Sequence, residues 1–375
     1  MAISLLRMKI EFVHTLRGLD FETMPISRYN KDYIHRMMPN IEYYIDIYNK
    51  CLLMMSNSIK IPFREIVMVD YGGGHGFLSM YVRKMGIGSV IYVDKNPNSV
   101  YTAKHLKEIT GLGPDIAICG DENDLIKYCD DNGITPNLLI GIDVIEHIYN
   151  VEKYLKALIV KWPYLEHFYA TGSTPYNPLV RWRLHRLMKI DEYGNRKKTG
   201  YLELRRQYVA RNYPDMSTKE VDIVARETRG LTYEDIDLYL QHKQRLSPID
   251  PYNTCDPATG NWTERILTYE EYTNILRKYG YEMIENFGFY NSNCKGPKLW
   301  CVKLLNRCTQ HIFRGKYVAP FLILWLKQFY LKESSEEDLE VAKTHSEDAI
   351  LLQVKKRQDE FVRSIFQNNK LINND

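Results

Sequence analysis

The chain contains one glycine-rich segment of a kind that holds an anionic ligand. Residues 69–78, VDYGGGHGFL, join a short apolar run to a stretch of helical character. Glycine allows positive φ angles and a close approach of ligand to backbone. A helix that begins here presents free N–H groups and the positive end of its dipole. The segment therefore predicts a site for a phosphate or a ligand carboxylate, built on four glycines: Gly72, Gly73, Gly74 and Gly76.

Carboxylates and one histidine follow three later apolar runs. Asp94 follows the run 90–93, Asp121 follows 116–119, and residues 143–147, DVIEH, follow 138–142. A carboxylate can accept hydrogen bonds from two hydroxyls at once. A histidine can take the proton of a hydroxyl near neutral pH. If the runs are parallel strands, these residues meet at the carboxyl edge of one sheet, where ligands of open α/β sheets bind.

The spacing of the glycines separates two cofactor classes. The dinucleotide fingerprint G-x-G-x-x-G, started at Gly72, requires glycine or alanine where the chain has Phe77. The observed spacing is D-x-G-x-G-x-G from Asp70 to Gly76, and it resembles motif I of class I S-adenosylmethionine-dependent methyltransferases. The three later segments follow in that family's order, and 143–147 is similar to the E/D-V-[LI]-E-H segment of its small-molecule, ubiquinone-pathway-like branch. A nicotinamide site stays as the weaker alternative.

The resemblance covers roughly residues 60–175 and resumes weakly over 264–305. It implies S-adenosylmethionine as the cofactor, with Asp94 on the ribose hydroxyls and Asp121 against the adenine amine. It implies methyl transfer to a small-molecule acceptor, whereas a glycan or lipid-linked acceptor would fit membrane contact through residues 317–331. Oxygen is the expected acceptor atom, and because a hydroxyl acceptor must lose its proton, His147 and Asp143 are the expected catalytic residues. The cofactor-binding set expected on this basis comprises Asp70, Gly72, Gly73, Gly74, Gly76, Asp94, Asp121 and Asp143.

Purely structural interpretations compete with these roles. Asp70 can serve only to hydrogen-bond the loop, His75 is expected to be exposed on the turn, and Glu146 can simply begin a helix. Two other functions stay open: a fold that binds S-adenosylmethionine without turnover and acts as a scaffold or regulator, and an RNA-modifying methyltransferase. DNA is not expected as a partner, because the chain has neither an N/D/S-P-P-Y/F box after the fourth run nor a Pro-Cys dipeptide.

Apolar runs that alternate with helical stretches predict the elements that carry these residues. Such alternation is typical of a parallel sheet covered on both faces. We therefore expect an α/β fold: a doubly wound, mostly parallel, seven-stranded Rossmann-like sheet with an antiparallel terminal hairpin, formed by residues 281–289 and 299–305, plus a helical insertion. The expected organisation is an N-terminal helical segment (1–60, interrupted at Pro39), a catalytic domain (61–175 and 263–306), an insertion (176–262) and a C-terminal helical extension (307–375).

The insertion is expected to recognise the acceptor. Its part between Asn177 and Tyr213 holds ten lysines and arginines but three acids. A helix face rich in arginine can grip phosphate or carboxylate. We therefore expect an anionic acceptor held by Arg181, Arg183 or Arg186, against the simpler interpretation of a solvated helix face.

The segment 317–331, YVAPFLILWLKQFYL, is predicted to be a helix that starts near Pro320. A helix this apolar must be buried in the chain, in a homodimer or at a membrane surface, and these alternatives stay open here. It is too short to span a bilayer.

Bulk composition narrows the class of protein. The net charge is +3 in 375 residues, which does not point to nucleic acid. Seven scattered cysteines without a C-x-x-C pair predict reduced thiols and a cytoplasmic location, with peripheral membrane contact as an alternative. No metal site is expected. Cys294, Cys301, Cys308 and His311 are the one grouping that could bind zinc, but their spacing is too wide for typical zinc ligands.

Overall fold

The computed structural model describes residues 2–242, 250–310 and 315–329, with side chains from Leu5 onward. Five parallel strands form the first part of one sheet: β1 (Val67–Tyr71), β2 (Ser89–Asp94), β3 (Ile116–Cys119), β4 (Leu138–Ile142) and β5 (Glu166–Thr171). The helices after the first four of these strands are α4 (Phe77–Lys84), α5 (Pro97–Thr110), α6 (Glu122–Asn132) and α7 (Val151–Lys161).

The strand order is β3-β2-β1-β4-β5-β7-β6, in which β6 (Tyr281–Phe287) and β7 (Leu322–Gln328) are antiparallel to their neighbours. The predicted Rossmann-like sheet of seven strands with an antiparallel terminal pair is therefore confirmed. The chain direction is reversed only beyond β5, so the carboxyl ends of β1 to β5 share one edge. The candidate site residues that follow these strands are brought together there.

The N-terminal helices pack against one face of this sheet. They are α1 (Ala2–Arg17), α2 (Arg28–Met37) and α3 (Ile41–Ser58), and a short 3₁₀ turn that contains Pro39 separates the last two, as the sequence predicts. Their apolar residues, such as Phe12 and Ile45, join one core with Met68 of β1 and Phe168 of β5. The opposite face is covered by α6, α7 and α12 (Tyr269–Arg277).

Four helices form the insertion after β5: α8 (Pro178–Tyr193), α9 (Tyr201–Asn212), α10 (Thr218–Glu227) and α11 (Tyr233–His242). Capping boxes of Ser217 with Glu220 and of Thr268 with Glu271 begin α10 and α12. In the interior of the insertion, the fully buried Arg205 pairs with Glu192, with Nη2 2.6 Å from Oε1. This pair joins α8 to α9.

The predicted end of the sheet is wrong in two places. Residues 299–305 are not a strand but lie in the helix α13 (Pro297–Thr309), and 322–328 is not a helix but the strand β7. A short helix, α14 (Gly315–Val318), precedes β7. The sheet therefore runs past residue 306. The first five residues of β7, 322–326, form a continuous apolar run, as in a strand buried on both faces, and a run this short has the same pattern as a buried helix.

Part of the apolar segment 317–331 is buried within the chain, in β7. Ile323 and Leu326 are fully buried between β5 and β6, and the indole N–H of Trp325 donates to Glu166 at 3.0 Å. Tyr317 and Phe329, near the two ends of the segment, are 54% and 40% exposed. Residues 330–331 and the tail beyond them lie outside the described residues. No helix in the described part of the chain is long and apolar enough to cross a bilayer.

We expect Leu326→Ala to lower the free energy of unfolding by about 2–5 kcal/mol, because it leaves a cavity at a fully buried position of β7. Urea unfolding followed by circular dichroism measures this change. The matched control is Leu304→Ala on α13, whose side chain is 49% exposed, and it should change stability by less than about 0.5 kcal/mol. Equal effects of the two substitutions would show that β7 is not core.

Candidate functional site

The glycine-rich turn after β1 is held in place by backbone hydrogen bonds. The N–H of Gly72 donates to the carbonyl of Val93 at 2.8 Å, and the N–H of Gly74 donates to the Asp94 carboxylate at 2.9 Å. Gly72, Gly74 and Gly76 all have positive φ angles, between 54° and 83°. The turn therefore adopts a conformation that favours glycine and is joined directly to the acid at the end of β2.

Packing explains why Gly72 and Gly76 must be glycine. The turn has more space at Gly74. A Cβ at Gly72 would lie 2.4 Å from Val144, and one at Gly76 would lie 2.8 Å from Ala103 of α5. At Gly74 a Cβ would meet only the ring of Tyr33, at 3.5 Å. The exposed side of the turn at Gly74 is therefore where a ligand can approach the backbone.

Asp70 has a supporting position in the turn. Its side chain is buried, and one carboxylate oxygen accepts from the hydroxyl of Ser79 at 2.6 Å and from the Ser79 N–H at 3.0 Å. Burial raises the pKa of Asp70 to about 7. Asp70 thus fixes the start of α4 against the turn, and its effect on a ligand passes through the position of the glycines.

Asp94 and Asp121 lie at the ends of adjacent strands. Asp94 accepts from the N–H groups of Gly74 and Asn96, and burial raises the pKa of its carboxyl. Asp121 caps α6. Burial opposes its ionisation, but the Asn123 N–H and the ammonium of Lys95, 3.5 Å away, outweigh that and lower its pKa. Asp94 faces the glycine turn directly, whereas Asp121 has a capping role that is independent of any ligand.

His75 is not exposed, contrary to the expectation from its place in the turn. It is 4% exposed, its Nδ1 accepts from the Phe77 N–H at 3.2 Å, and its ring packs against Tyr33 and Met37 of α2. Burial lowers its pKa to about 3, so it is neutral. His75 anchors the N-terminal helices on the turn, and the sequence contains no signal for this packing.

A second polar cluster lies at the end of β4. Glu146, His147 and Glu264 each place one side-chain oxygen or nitrogen within 4.8 Å of the others. Burial is the main cause that raises the pKa of Asp143, to about 6, and Glu264 adds to it. Burial likewise raises the pKa of Glu146, with Asp143 and Glu264 adding to the effect. Asp143 itself has a φ of 50°, a strained value for a residue other than glycine. The carboxylates that follow β4 are therefore crowded with like charges.

Residues from the end of the insertion hold this cluster together. The N–H of Arg265 donates to the Glu146 carbonyl at 3.0 Å, and the N–H of Trp262 donates to the His147 carbonyl at 3.4 Å. In return, the His147 ring donates from Nδ1 to the Trp262 carbonyl at 2.9 Å, since a carbonyl only accepts. We call the pairing of 262–265 with 146–147 the clamp. The clamp brings Glu264 to the site. Glu264 is not among the site residues predicted from the sequence.

Three tyrosines of the N-terminal helices lie near Asp143 at the end of β4. They are Tyr33 on α2 and Tyr43 and Tyr44 on α3, and burial is the main cause that raises the pKa of each phenol. The carboxyl of Asp143 is near enough to add to the rise in all three. The N-terminal segment therefore lines the site as well as covering the sheet, which no spacing in the sequence indicates.

The three arginines expected at the acceptor site differ in their surroundings. Arg181 is 3.3 Å from the buried Asp250, which also contacts His185. Arg183 and Arg186 are exposed on α8 and form no ion pair with any other described residue. Trp182 and Leu179 on the same helix are 64% and 76% exposed. The structure thus leaves two of the three arginines available on a helix that also displays apolar side chains.

The cysteine grouping is only partly within the described residues, since His311 lies outside them. Cys301 and Cys308 lie on α13, and the cluster at Glu146 is the only set of potential metal ligands within 2–242, 250–310 and 315–329.

No protein-family model matches the chain, and no curated protein does. Solved structures to which it is similar include the plantazolicin methyltransferase BpumL in complex with a triazolic desmethylPZN analog and SAH, at 13% identity and a TM-score of 0.37, over 88% of this chain and 100% of that one. PKMT2 from Rickettsia typhi in complex with AdoHcy shares 13% identity, with a TM-score of 0.38 over 72% of this chain and 50% of that one. The methyltransferase domain of bacterial CtHen1-C shares 12%, with a TM-score of 0.36 over 75% and 96%. At these values the three structures do not say what this chain binds.

Asp70→Asn should change how stability depends on pH. The pKa of Asp70 rises from 3.8 to about 7 on folding, so the folded protein binds this proton more tightly and loses stability as pH rises through that interval. Relative to wild type, the variant should therefore gain more than about 1 kcal/mol in unfolding free energy between pH 5 and pH 8. Urea unfolding at both pH values measures this. Asp32→Asn, at an exposed carboxylate on α2, is the control, and parallel pH profiles for wild type and Asp70→Asn would contradict the prediction.

Proposed function

We propose that the chain is an S-adenosylmethionine-dependent methyltransferase that acts on a small-molecule, glycan or lipid-linked acceptor, at oxygen. The observation that carries the proposal is the glycine turn, which has space at Gly74 and whose Gly74 N–H donates to the carboxylate of Asp94. The turn lies at the start of α4, where backbone N–H groups and the helix dipole favour a ligand carboxylate. Asp94 offers two oxygens to a pair of hydroxyls.

The residues present fit such a cofactor. The crevice between the turn and Asp143 is bordered by Tyr33 and Tyr44, which supply aromatic surface and hydroxyl groups. When bound, the cofactor supplies a methyl group on a sulfonium, and transfer to an acceptor hydroxyl forms a carbon–oxygen bond, leaves the sulfur electron pair on the product thioether and releases one proton. The protein must hold the acceptor in line with the methyl group.

The released proton needs an acceptor. Because Nδ1 of His147 donates to the Trp262 carbonyl, its Nε2 carries the lone pair in the neutral ring. This orientation supports His147 as the general base, with Asp143 beside it. The clamp fixes both the ring and its tautomer.

Binding of S-adenosylmethionine and of its demethylated product should be measurable by calorimetry, whereas NADH should not bind. Asp94→Ala should weaken binding of the product by about 1.5–3 kcal/mol, the scale for losing hydrogen bonds to a charged group. Asp130→Ala at the end of α6 is the control and should bind like wild type. Binding of NADH in place of S-adenosylmethionine by the wild-type protein would refute the proposal.

We further propose that the acceptor is anionic and is held by α8, where exposed arginines lie beside apolar side chains. Arg183→Glu should raise the acceptor KM at least tenfold, because charge reversal replaces attraction by repulsion, and should leave cofactor affinity unchanged. Steady-state kinetics with the acceptor found by mass spectrometry of labelled cell extract provide the test. Arg196→Glu, an exposed arginine between α8 and α9, is the matched control. Equal effects of the two reversals would point to general electrostatics and contradict a specific contact.

A further inference from the structure

The cluster at the end of β4 contains a buried carboxylate oxygen that has no partner. Glu146 is 2% exposed, and its Oε2 has no hydrogen-bond donor among the described residues. The same side chain is also hydrogen-bonded to that of Thr171. A buried carboxylate oxygen without a donor is costly, and native structures satisfy such an atom by a proton, water or a cation.

His147 is prepared for a ligand on its other nitrogen. The ring donates from Nδ1 to the Trp262 carbonyl, which fixes the ring plane and leaves Nε2 as the electron-pair donor. Metal-binding histidines are held in this way, with the second nitrogen donating to a carbonyl or a carboxylate. The backbone hydrogen bonds of the clamp hold the ring against rotation.

Glu264 completes the set from a distant part of the chain. Its Oε2 accepts from the hydroxyl of Ser173 at 2.8 Å, which leaves Oε1 available. The three potential ligand atoms, from Glu146, His147 and Glu264, lie within 4.8 Å of one another. One ion can bind atoms at about this separation. Metal–oxygen and metal–nitrogen bonds are about 2.0–2.3 Å long, so two ligand atoms on opposite sides of an ion lie roughly 4–4.6 Å apart.

The cluster also lacks positive charge from the protein. No lysine or arginine of the described ranges forms an ion pair with Asp143, Glu146 or Glu264. Arg265 is adjacent to Glu264 in sequence but turns away: its guanidinium lies over the ring of Trp262 and donates to the carbonyl of Tyr149. The carboxylates of these three residues have only the imidazole of His147 beside them, so a cation from solution would balance their negative charge.

We propose that Glu146, His147 and Glu264 bind a divalent cation that prefers oxygen ligands and accepts one imidazole, of the Mn²⁺ type. Three protein ligands would leave coordination positions open, as in catalytic metal sites. The role of this ion rests on the proposed function, which it deepens. An acceptor hydroxyl that binds the ion is more acidic and is held in a fixed place.

The proposed cation site gives His147 a different role from that of a general base. A nitrogen that ligates the ion cannot also accept a proton, so the proton of the acceptor hydroxyl passes to water and His147 becomes a cation ligand. Under this proposal the site binds a metal ion, contrary to the expectation from the sequence. The ion, and not a general base, would activate the acceptor hydroxyl.

The test is direct binding of Mn²⁺ to the full chain, without methyl donor or acceptor, followed by loss of the free Mn²⁺ signal in electron paramagnetic resonance. We expect one bound ion per chain. Glu264→Gln, Glu146→Gln and His147→Gln should each raise the Kd for Mn²⁺ at least tenfold, and His147→Gln should abolish the nitrogen modulation in the spin-echo spectrum of any ion still bound. Glu234→Gln, an exposed acid on α11, is the matched control and should bind like wild type.

Thermal unfolding and affinity for the demethylated cofactor, both without metal, check the fold of each variant. If Glu146→Gln does not fold, the partly exposed Glu264 carries the test. Failure of wild type to bind Mn²⁺ at millimolar concentration, or equal Kd values for wild type and all three variants, overturns the cation site, and cofactor binding by the same samples would leave the proposed function standing. Mn²⁺ binding that depends on the three residues, in a protein that binds no S-adenosylmethionine, would support the cation site and refute the methyltransferase.

Discussion

The clamp between residues 262–265 and 146–147 is the interaction on which the candidate site depends. It is a short piece of backbone pairing, with N–H to carbonyl distances of 3.0 and 3.4 Å, between segments more than a hundred residues apart. Without it Glu264 would not be near β4, and the His147 ring would have no fixed tautomer. The whole insertion lies between the two sides of this pairing, so its folding and the assembly of the site are coupled.

Two features of the insertion stabilise the clamp from outside. The indole N–H of Trp262 and the guanidinium of Arg265 both donate to the carbonyl of Tyr149, just beyond the cluster. The phenol of Tyr149 in turn hydrogen-bonds Asp235 on α11. Hydrogen bonds that converge in this way orient the groups around them and leave little freedom for the loop after β4.

The opposite side of the crevice is formed by the N-terminal helices. Asn30 on α2 is fully buried and donates to the hydroxyl of Thr102 on α5 at 2.8 Å, and His75 packs beneath Tyr33. These contacts hold α2 over the glycine turn. The N-terminal helices and the last residues of the insertion therefore lie on two sides of the site at one edge of the sheet, and a ligand bound there would meet tyrosines on one side and carboxylates on the other.

The sequence by itself determined the strands β1 to β5, the helices between them, the glycine turn and the acids that follow each strand. These features are local: apolar runs of strand length and glycines whose φ angles a turn requires. The identity of β7 was decided only by the tertiary structure, because its apolar run of five residues suits a strand or a helix until its neighbours are known. The burial of His75, the tyrosines over the turn and the arrival of Glu264 beside Glu146 were likewise decided only by the fold. Each of these depends on contacts between residues far apart in the chain, and no spacing in a single sequence records which distant segments will pair.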